Sequence, residues 1–479
     1  MTFSPLPNRG GISQHSLDMS YDVIIVGAGM SGLAAGIRLA YYDKKVCILE
    51  KHYRVGGLNS FYSRDGYKFD VGLHAMTNYV SKGTKSTPLP KLLRQLKLQV
   101  EDFALCQQRM SMVKFPGKTL RFNNDLDFFV QEVVENFPSQ ADNFQKLLKT
   151  ISEYDALALD TEPISAREVV GSIISDPLLI DMIFCPLMYY GNAQENDMEF
   201  GQFVIMFNSI LCEGFARPQA GVRQILDILV KKFQDHGGEL RLRCGVQSIQ
   251  VANGKVESVL LDNGEVLTAD KIISSAGYVE TMRLLSDYDP ARVKYDVGQL
   301  SFVEFIMVLD RELAETGYDT TIIFFNNSDK FNYRKPNDLV DVSSGVICCP
   351  NNFYFESPLP EAMIRVTNMA NFDLWNKLEQ EEYKAQKAAW LETSLKEVVK
   401  FVPDFRDSIV YTDVFTPKTI HRFTGHLNGA VYGTPNKIKT GRTHLENLFI
   451  CGTDQGFLGI VGAMLSGISM ANLHVLQKG

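Results

Sequence analysis

Two short apolar runs near the start of the chain are separated by a segment with helical spacing. Residues 23–26 and 46–49 are continuously hydrophobic, which is typical of strands buried on both faces of a parallel sheet. Between them, residues 33–42 carry apolar side chains at the spacing of a buried helix face. The pattern therefore predicts a strand, a helix and a parallel strand in succession.

The segment from about residue 81 to 215 has a different pattern. A polar linker at 81–90 precedes three stretches with helical spacing and many aromatic residues, at 92–98, 126–137 and 141–151. Pro186 interrupts a very apolar stretch at 178–190. The aromatic and Met side chains of residues 198–212 suit a core, the wall of an apolar tunnel or contact with a bilayer surface. The sequence leaves these three alternatives open.

Strand patterns dominate the later part of the chain. A predicted helix at 221–234 is followed by four strand signals with glycine-containing turns, at 239–243, 246–251, 255–261 and 269–277. The last of these is predicted to return to the first sheet. Four further apolar runs suit one mixed sheet, at 300–309, 321–325, 345–348 and 363–367. One or two amphipathic helices are predicted at 375–402, ending at Pro403.

The turn after the first predicted strand has the spacing Gly-x-Gly-x-x-Gly, at Gly27, Gly29 and Gly32. Gly27 permits the tight turn, Gly29 lets a pyrophosphate approach the backbone, and Gly32 lets the helix pack against the strand. The helix N-terminus offers free N–H groups to phosphate. Glu50, at the end of the second strand, can accept hydrogen bonds from a ribose diol. Strand, turn, helix, strand and acid in this order predict dinucleotide binding.

A second glycine-rich loop follows the acid. Lys51 and Arg54 lead into the pair Gly56 and Gly57, which can pass close beneath a bulky ligand because neither residue has a Cβ. Arg54 is suited to pair with phosphate. The alternative interpretation is an ordinary surface loop.

A third glycine-rich segment lies near the C-terminus. A predicted buried strand at 448–451 leads through a turn with Gly452 and Asp454 into a helix from Ile460 onwards. A helix N-terminus there favours negative charge, such as that of a reduced flavin ring, and Asp454 can bind a ribityl hydroxyl. The whole segment 448–473 is apolar, but its glycines favour loops and close packing over a transmembrane helix.

Composition narrows the function classes. The 479 residues carry a formal net charge of −8, so the sequence gives no electrostatic argument for nucleic-acid binding. Eight scattered cysteines form no Cys-x-x-Cys pair, which favours reduced thiols and a cytoplasmic location. The His and Cys spacings match no zinc pattern, so no metal is expected. Residues 1–20 lack an apolar core and are interpreted as a loose tail rather than a signal peptide.

Together these motifs resemble the flavoproteins of the phytoene desaturase, carotenoid isomerase and retinol saturase family. The resemblance covers nearly the whole chain after residue 20 and includes the runs 221–277, 428–433 and 452–467. It implies FAD as cofactor and a hydrophobic polyisoprenoid, carotenoid or retinoid-like, as substrate. It also implies the following cofactor-binding residues: Gly27, Gly29, Met30, Ser31, Gly32, Glu50, Lys51, Arg54, Gly56, Gly57, Leu58, Val246, Gly277, Asp454, Val461, Gly462 and Ala463.

The fold class implied is α/β, with mixed α+β character. A Rossmann-like FAD-binding domain would comprise residues 21–80, 216–290 and 405–479. A discontinuous substrate domain, a mixed sheet plus helices, would comprise residues 81–215 and 291–404.

The resemblance also suggests the chemistry. A flavin exchanges a hydride at its N5 atom, so the expected reactions on carbon–carbon bonds are desaturation, saturation or flavin-assisted isomerisation. His74 is the candidate proton donor or substrate-orienting residue, and a buried, hydrogen-bonded histidine is the structural alternative. The segment from Asp70 to His74 resembles the saturase branch more than the bacterial desaturases. Since no second Gly-x-Gly-x-x-Gly unit is present, electrons would pass to oxygen, a quinone or a transiently bound nicotinamide.

Two rival functions share this kind of scaffold. One is a flavin amine oxidase, which requires an aromatic cage at the flavin. The other is a prenyl-lipid carrier of the GDP-dissociation-inhibitor type, which lacks an intact FAD site. The expected partners are a hydrophobic small molecule and, as an alternative to a purely cytoplasmic location, the inner face of a membrane.

Overall fold

The computed structural model describes residues 20–81, 83–158 and 162–477. The tail predicted at 1–20 lies outside these ranges except for Ser20, which begins the first strand. The strands, in chain order, are β1 (Ser20–Val26), β2 (Val46–Glu50), β3 (Phe61–Arg64), β4 (Tyr67–Asp70), β5 (Leu105–Gln107), β6 (Ser111–Phe115), β7 (Lys118–Phe122), β8 (Ala216–Pro218), β9 (Glu239–Leu242), β10 (Val246–Ala252), β11 (Lys255–Leu261), β12 (Val266–Ser274), β13 (Ser301–Leu309), β14 (Ile322–Asn326), β15 (Val340–Cys348), β16 (Ala362–Ala370), β17 (Ile409–Phe415) and β18 (Leu448–Ile450).

The α-helices lie between these strands. In chain order they are α1 (Met30–Ala40), α2 (Pro88–Gln95), α3 (Leu126–Asn136), α4 (Ala141–Glu153), α5 (Ala166–Gly171), α6 (Pro177–Gly191), α7 (Phe200–Phe207), α8 (Val222–Asp235), α9 (Tyr278–Leu284), α10 (Phe372–Lys377), α11 (Gln380–Val398), α12 (Pro417–Thr424) and α13 (Gly459–Ala471). The mixture of helices and sheets confirms the predicted α/β class.

The first sheet is built from distant parts of the chain. Five parallel strands lie in the order β9-β2-β1-β12-β18, and the hairpin of β10 and β11 joins antiparallel to β12. The strand–helix–strand unit predicted at the start of the chain is β1, α1 and β2, in which Val23 lies opposite Val46. Because its strands are covered on both faces, residues 23–26 and 46–49 are buried, as their unbroken hydrophobicity predicted.

Helix α13 packs closely against the beginning of α1. A Cβ at Gly467 would lie 2.0 Å from the carbonyl oxygen of Ser31, so only glycine permits this approach. The run Gly459–Leu476 is long and apolar enough to cross a membrane, yet half of it is buried inside the protein. A core helix of a soluble protein has the same signature, so this run is weak evidence for a membrane span.

The second sheet is mixed and has seven strands, in the order β17-β13-β16-β15-β14-β6-β7. Strands β6 and β14 run parallel, and the other neighbours run antiparallel. The four apolar runs predicted between residues 300 and 367 are its central strands. The sequence assigned residues 405–479 to the cofactor domain, but β17 pairs with β13 in the second sheet. Strands β6 and β7 were not predicted, because each has only five residues within an otherwise helical region.

The helices between residues 126 and 212 cover this second sheet and share one core with it. Helix α6 continues through Pro186, although a break was predicted there. Nearly all of its residues from 182 to 189 are buried, and this packing offsets the lost hydrogen bond. Residues 198–212 form α7 and a following π-helical turn, and most of their side chains are in the core.

Candidate functional site

A large cavity lies at the carboxyl edge of the first sheet. Its volume is about 630 Å³, and its wall includes the residues that directly follow four parallel strands: Gly27, Lys51, Ser275 and Cys451. Ligands of open parallel sheets bind at this edge, where the loops after the strands diverge. The topology therefore places the predicted dinucleotide motif at a cavity.

The three motif glycines have different surroundings. Gly27 has a φ of +96°, which favours glycine. A Cβ at Gly32 would lie 2.1 Å from the carbonyl oxygen of Gly27, so this residue allows α1 to pack against the turn. A Cβ at Gly29 would meet no atom within 4 Å, and Gly29 lines the cavity. The site therefore has an open cradle where a pyrophosphate could approach the backbone, at the uncapped N-terminus of α1.

The second glycine pair lies beside this cradle. The Gly56 N–H donates to the carbonyl oxygen of Ala28 at 2.9 Å, and Gly56 and Gly29 form an isolated parallel bridge. The nearest atom to a Cβ at Gly57 would be the Cα of Gly29, at 3.8 Å. Both glycine loops thus line one wall of the cavity without side chains, which fits a bulky diphosphate cofactor.

The carboxylate of Glu50 is held by two backbone groups. Its Oε2 accepts a hydrogen bond from the Ala28 N–H at 2.9 Å, and its Oε1 accepts one from the His52 N–H at 2.8 Å. A carboxylate oxygen has further lone-pair sites, so both oxygens can still accept ribose hydroxyls. Lys51 and Val246 line the same cavity as Glu50. The position fits the predicted ribose contact.

Glu50→Ala is expected to weaken FAD binding by about 10- to 100-fold, because hydrogen bonds to a charged group contribute about 1.5–3 kcal/mol. The measurement is the flavin-to-protein absorbance ratio after dialysis against decreasing FAD. Glu257→Ala, on strand β11, serves as the control. Unchanged FAD retention in Glu50→Ala would remove Glu50 from the ribose site.

Asp454 fixes the loops at the other side of the cavity. It is 3% exposed, and its carboxylate accepts hydrogen bonds from the N–H groups of Thr434, at 2.8 Å, and Tyr278, at 2.5 Å. A Cβ at Gly433 would lie 1.7 Å from Asp454 Oδ1, so Gly433 makes room for the carboxylate. Helix α13 begins at Gly459 without a side-chain cap, which leaves its first N–H groups available to a ligand.

Most of the predicted cofactor residues line this one cavity. Those on its wall are Gly27, Gly29, Met30, Ser31, Glu50, Lys51, Gly56, Gly57, Leu58, Val246, Gly277, Asp454 and Ala463, and His74 lines it as well. Four predicted residues are elsewhere. Gly32 packs under the turn, Val461 is buried in the core, and a Cβ at Gly462 would lie 3.0 Å from the Phe457 backbone.

Arg54 is the fourth residue outside the cavity wall. Its guanidinium donates to the carbonyl oxygen of Phe61 at 3.0 Å and lies over the rings of Tyr53 and Phe61. The contact of Arg54 with phosphate stays a prediction. The aromatic rings on both sides give the cation an alternative partner, which sequence spacing could not reveal.

His74 belongs to a buried charged cluster at the cavity wall. Its Nε2 lies 2.9 Å from Oε1 of Glu304 and 3.2 Å from Oγ1 of Thr367. The same Glu304 oxygen accepts a hydrogen bond from Nε of Arg365 at 2.7 Å. Arg365 is 1% exposed, whereas His74, Glu304 and Thr367 all line the cavity. We call these four residues the His74 cluster.

The pKa values in the His74 cluster favour a neutral imidazole beside a carboxylate. Burial opposes ionisation of Glu304, but Arg365 and His74 outweigh it and lower the pKa of Glu304 to about 2. Burial lowers the pKa of His74, although the hydrogen bond to Glu304 acts in the opposite direction. The neutral ring therefore donates its Nε2–H to Glu304, which leaves Nδ1 as an acceptor.

Two buried arginines fix the backbone around His74. Arg217 donates to the carbonyl oxygens of Leu73, at 2.7 Å, and His74, at 3.0 Å, and pairs with Asp70 at 2.6 Å. Arg365 donates to the same Leu73 carbonyl at 3.0 Å. The imidazole is thus held from both its side chain and its backbone, which is the support that a reacting group needs.

Apolar and aromatic side chains line the cavity near the His74 cluster. Phe302 contacts the rings of Tyr189 and Tyr432, with centroid separations of 6.1 and 5.9 Å. Met206 and Tyr190 complete this wall. The buried hydroxyl of Tyr190 has no hydrogen-bond partner within the described part of the chain. This region suits a flat apolar ligand and leaves one hydroxyl group available to it.

Sequence reasoning missed three members of the His74 cluster. Glu304 and Arg365 are the charged residues of two otherwise largely apolar buried strands, β13 and β16. A lone charge in such a strand is rarely tolerated without a partner, so this pattern was an available signal. Thr367, two residues after Arg365 on β16, carries no comparable signal.

Comparison with known proteins supports the cofactor. The sequence profile of the flavin containing amine oxidoreductases matches residues 30–473. The chain is 25% identical to the chloroplastic prolycopene isomerase of Daucus carota, over 94% of this chain and 79% of that protein. It is 23% identical to the all-trans-retinol 13,14-reductase of Danio rerio, over 95% of this chain and 87% of that protein.

A solved structure supports the fold. The structure superimposes on an oxidoreductase from Methanosarcina mazei with a TM-score of 0.67 and 16% identity, covering 94% of this chain and 99% of that one. The match confirms the Rossmann-like fold, and the profile match extends over nearly the whole chain. The protein therefore belongs to the family of flavin containing amine oxidoreductases, and its cofactor is FAD.

Proposed function

We propose that this protein acts on carbon–carbon bonds of a hydrophobic polyisoprenoid, carotenoid or retinoid-like, by desaturation, saturation or flavin-assisted isomerisation. The observation that carries the proposal is the aromatic and apolar wall beside the His74 cluster. The names of the two curated relatives, an isomerase of prolycopene and a reductase of all-trans-retinol, point to the same substrate class.

The protein's own residues suit proton transfer in an apolar site. Bound FAD supplies hydride exchange with carbon. The neutral His74 can accept a proton at Nδ1, and Glu304 then stabilises the imidazolium through the hydrogen bond at Nε2. Such a protonated His74 can also return the proton to carbon in the saturating direction. The sequence suggested His74 as a proton donor. In the resting protein the neutral imidazole is instead a proton acceptor, and it becomes a donor only after it has been protonated.

This role predicts the pH dependence of the turnover number in the desaturating direction. The pKa of His74 is lowered from 6.5, so the neutral imidazole predominates at every pH above 6.5. Turnover should therefore be constant above pH 6.5 and fall at lower pH, where His74 becomes protonated. Glu304→Gln removes the group that raises the pKa of His74. The pH at half-maximal turnover should therefore shift further downward, while the plateau falls. If turnover did not fall in acid, or if the midpoint of that fall were the same in Glu304→Gln as in the wild type, His74 would be excluded as the proton acceptor.

The proposed substrate class is tested by turnover. Oxidised and reduced holoenzyme are incubated separately with phytoene, prolycopene, all-trans-retinol and putrescine, and the products are separated by chromatography. We expect at least one isoprenoid to lose, gain or isomerise a double bond, and His74→Ala to reduce that product strongly. If no isoprenoid reacts and putrescine is oxidised, the proposal is wrong.

Amine oxidation is the second candidate, favoured by the aromatic pair Phe302 and Tyr432 on the cavity wall. An amine substrate is cationic and needs a carboxylate or an aromatic cage. Glu304 is already paired with Arg365, so it is a poor partner for a second cation. This pairing is why we rank the amine below the polyisoprenoid.

A further inference from the structure

A second, smaller cavity lies outside the cofactor site. Its volume is about 200 Å³, and its wall includes Gln202 of α7, Lys437, Gln455 and Leu458. Leu458 also lines the main cavity, so the two cavities are neighbours. Neither the FAD contacts nor the His74 cluster uses the polar residues of this second cavity.

Two buried polar atoms on its wall, Nε2 of Gln202 and Oε1 of Gln455, have no hydrogen-bond partner among the residues described. Glu199, also on this wall, pairs through its Oε1 with Lys439 at 3.5 Å. Gln202 is 9% exposed and Gln455 is 2% exposed. The orientation of Gln455 is fixed, because its Nε2 donates to the Lys439 carbonyl at 2.6 Å. Native proteins leave few such atoms unpaired, so a ligand that both accepts and donates hydrogen bonds fits here.

A nearby lysine adds donor capacity. The ammonium group of Lys437 donates to the carbonyl oxygen of Tyr432 at 2.6 Å, which leaves further N–H donors. Burial lowers the pKa of Lys437 to about 8, although Asp454 acts in the opposite direction. The second cavity thus places the N–H donors of Lys437 beside the unpaired groups of Gln202 and Gln455.

The wall between the cavities is thin and made of flexible side chains. A Cβ at Gly191, which lines the second cavity, would lie 2.7 Å from Sδ of Met206 and 3.1 Å from Cδ1 of Leu458. Met206 lines the main cavity. The unbranched side chain of Met206 changes rotamer readily, so a ligand in the main cavity can extend past it over the glycine.

We propose that the second cavity binds a hydroxyl group at the end of the substrate, so that the enzyme prefers an isoprenoid alcohol to an isoprenoid hydrocarbon. The hydroxyl accepts from Gln202 and donates to Gln455, while the apolar body of the ligand lies in the main cavity. This inference rests on the proposed function and adds the recognition of one end of the substrate.

Equilibrium dialysis of the FAD-loaded protein tests the inference. The probes are all-trans-retinol and the matched hydrocarbon in which a methyl group replaces the hydroxymethyl group. We expect the wild type to bind the alcohol about tenfold more tightly, because a site built for a hydroxyl discriminates against its absence. Gln202→Met and Gln455→Met should each remove this preference and leave the affinity for the hydrocarbon unchanged.

The controls separate the possible failures. Gln131→Met, on the exposed face of α3, should leave the preference intact. Gln202 Nε2 has no partner to lose, so Gln202→Met remains informative if Gln455→Met does not fold. Equal affinities of the wild type for both probes would overturn the inference and would mean that water, not a substrate hydroxyl, occupies the second cavity. The proposed function would not be affected by this result. If neither probe binds, the inference is wrong, and the turnover assay with phytoene and prolycopene decides the proposed function separately.

Discussion

Arg365→Met is expected to destabilise the FAD-free protein by about 3–5 kcal/mol at pH 7, because it leaves a buried carboxylate without its cation. The guanidinium of Arg365 is 1% exposed and pairs with Glu304, whose side chain is 12% exposed. The substitution also removes the hydrogen bond to the Leu73 carbonyl, next to His74. Urea unfolding followed by tryptophan fluorescence measures the loss.

The dependence of this loss on pH has a definite sign. In the wild type, Glu304 ionises with a pKa of about 2, below its ordinary 4.5. Its contribution to stability is therefore complete above pH 4.5 and is lost as the pH falls towards 2. Without Arg365 the pKa of Glu304 rises, so the defect of the variant should shrink in acid.

A double variant isolates the charge effect. Arg365→Met combined with Glu304→Gln removes both charges and should recover a large part of the loss. Arg406→Met breaks an exposed ion pair with Asp404 and serves as the control, with unchanged stability expected. A single variant as stable as the wild type, or a double variant no better than the single one, would contradict the charge assignment.

Gly29→Val is expected to abolish FAD binding while leaving the FAD-free fold intact. Gly29 has φ −71° and ψ 177°, a conformation that any residue adopts, and a Cβ there would meet no protein atom within 4 Å. The added side chain would instead fill the space where the pyrophosphate approaches. Flavin content falling to background with an unchanged melting temperature of the FAD-free protein is the expected result.

Gly32→Ala provides the contrast. Its Cβ would lie 2.1 Å from the Gly27 carbonyl oxygen, so both the melting temperature and the flavin content should fall. If Gly29→Val retained the flavin content of the wild type, the cofactor would not lie against this turn.

The sequence predicted those parts of the site that are local. Strands β1 and β2 are short and buried on both faces, so their hydrophobicity alone identified them. The glycine spacing predicted the turn between β1 and α1, because Gly27 has a positive φ and Gly32 packs against the Gly27 carbonyl within the turn itself. The cofactor end of the molecule could therefore be predicted before its fold was known.

The His74 cluster could not be predicted, because its members come from separate parts of the chain. Glu304 lies 230 residues from His74, and Thr367 lies 293 residues from it. Only the pairing of β13 with β16, together with the position of the loop that carries His74, brings them together. For the same reason the sequence suggested His74 as a proton donor, whereas burial lowers the pKa of His74 against the opposing effect of Glu304 and favours the neutral acceptor.

The fold errors also have physical causes. Strand β17 was assigned to the wrong part of the molecule, because an edge strand has partly exposed side chains and a weak pattern. Pro186 was expected to interrupt the apolar stretch at 178–190, but tertiary packing around α6 overrode the local cost.

The most direct test of the central claim, that FAD and the His74 cluster act together on a polyisoprenoid, is an anaerobic spectral titration. All-trans-retinol or prolycopene is added to oxidised and to photoreduced holoenzyme, and flavin absorbance and products are recorded from the same sample. We predict either a stoichiometric change of flavin redox state with a matching gain or loss of a double bond, or an isomerised product that requires the reduced enzyme, and in each case dependence on His74. An unchanged flavin spectrum and unaltered polyisoprenoid, in a preparation whose flavin is bleached by putrescine, would contradict the account.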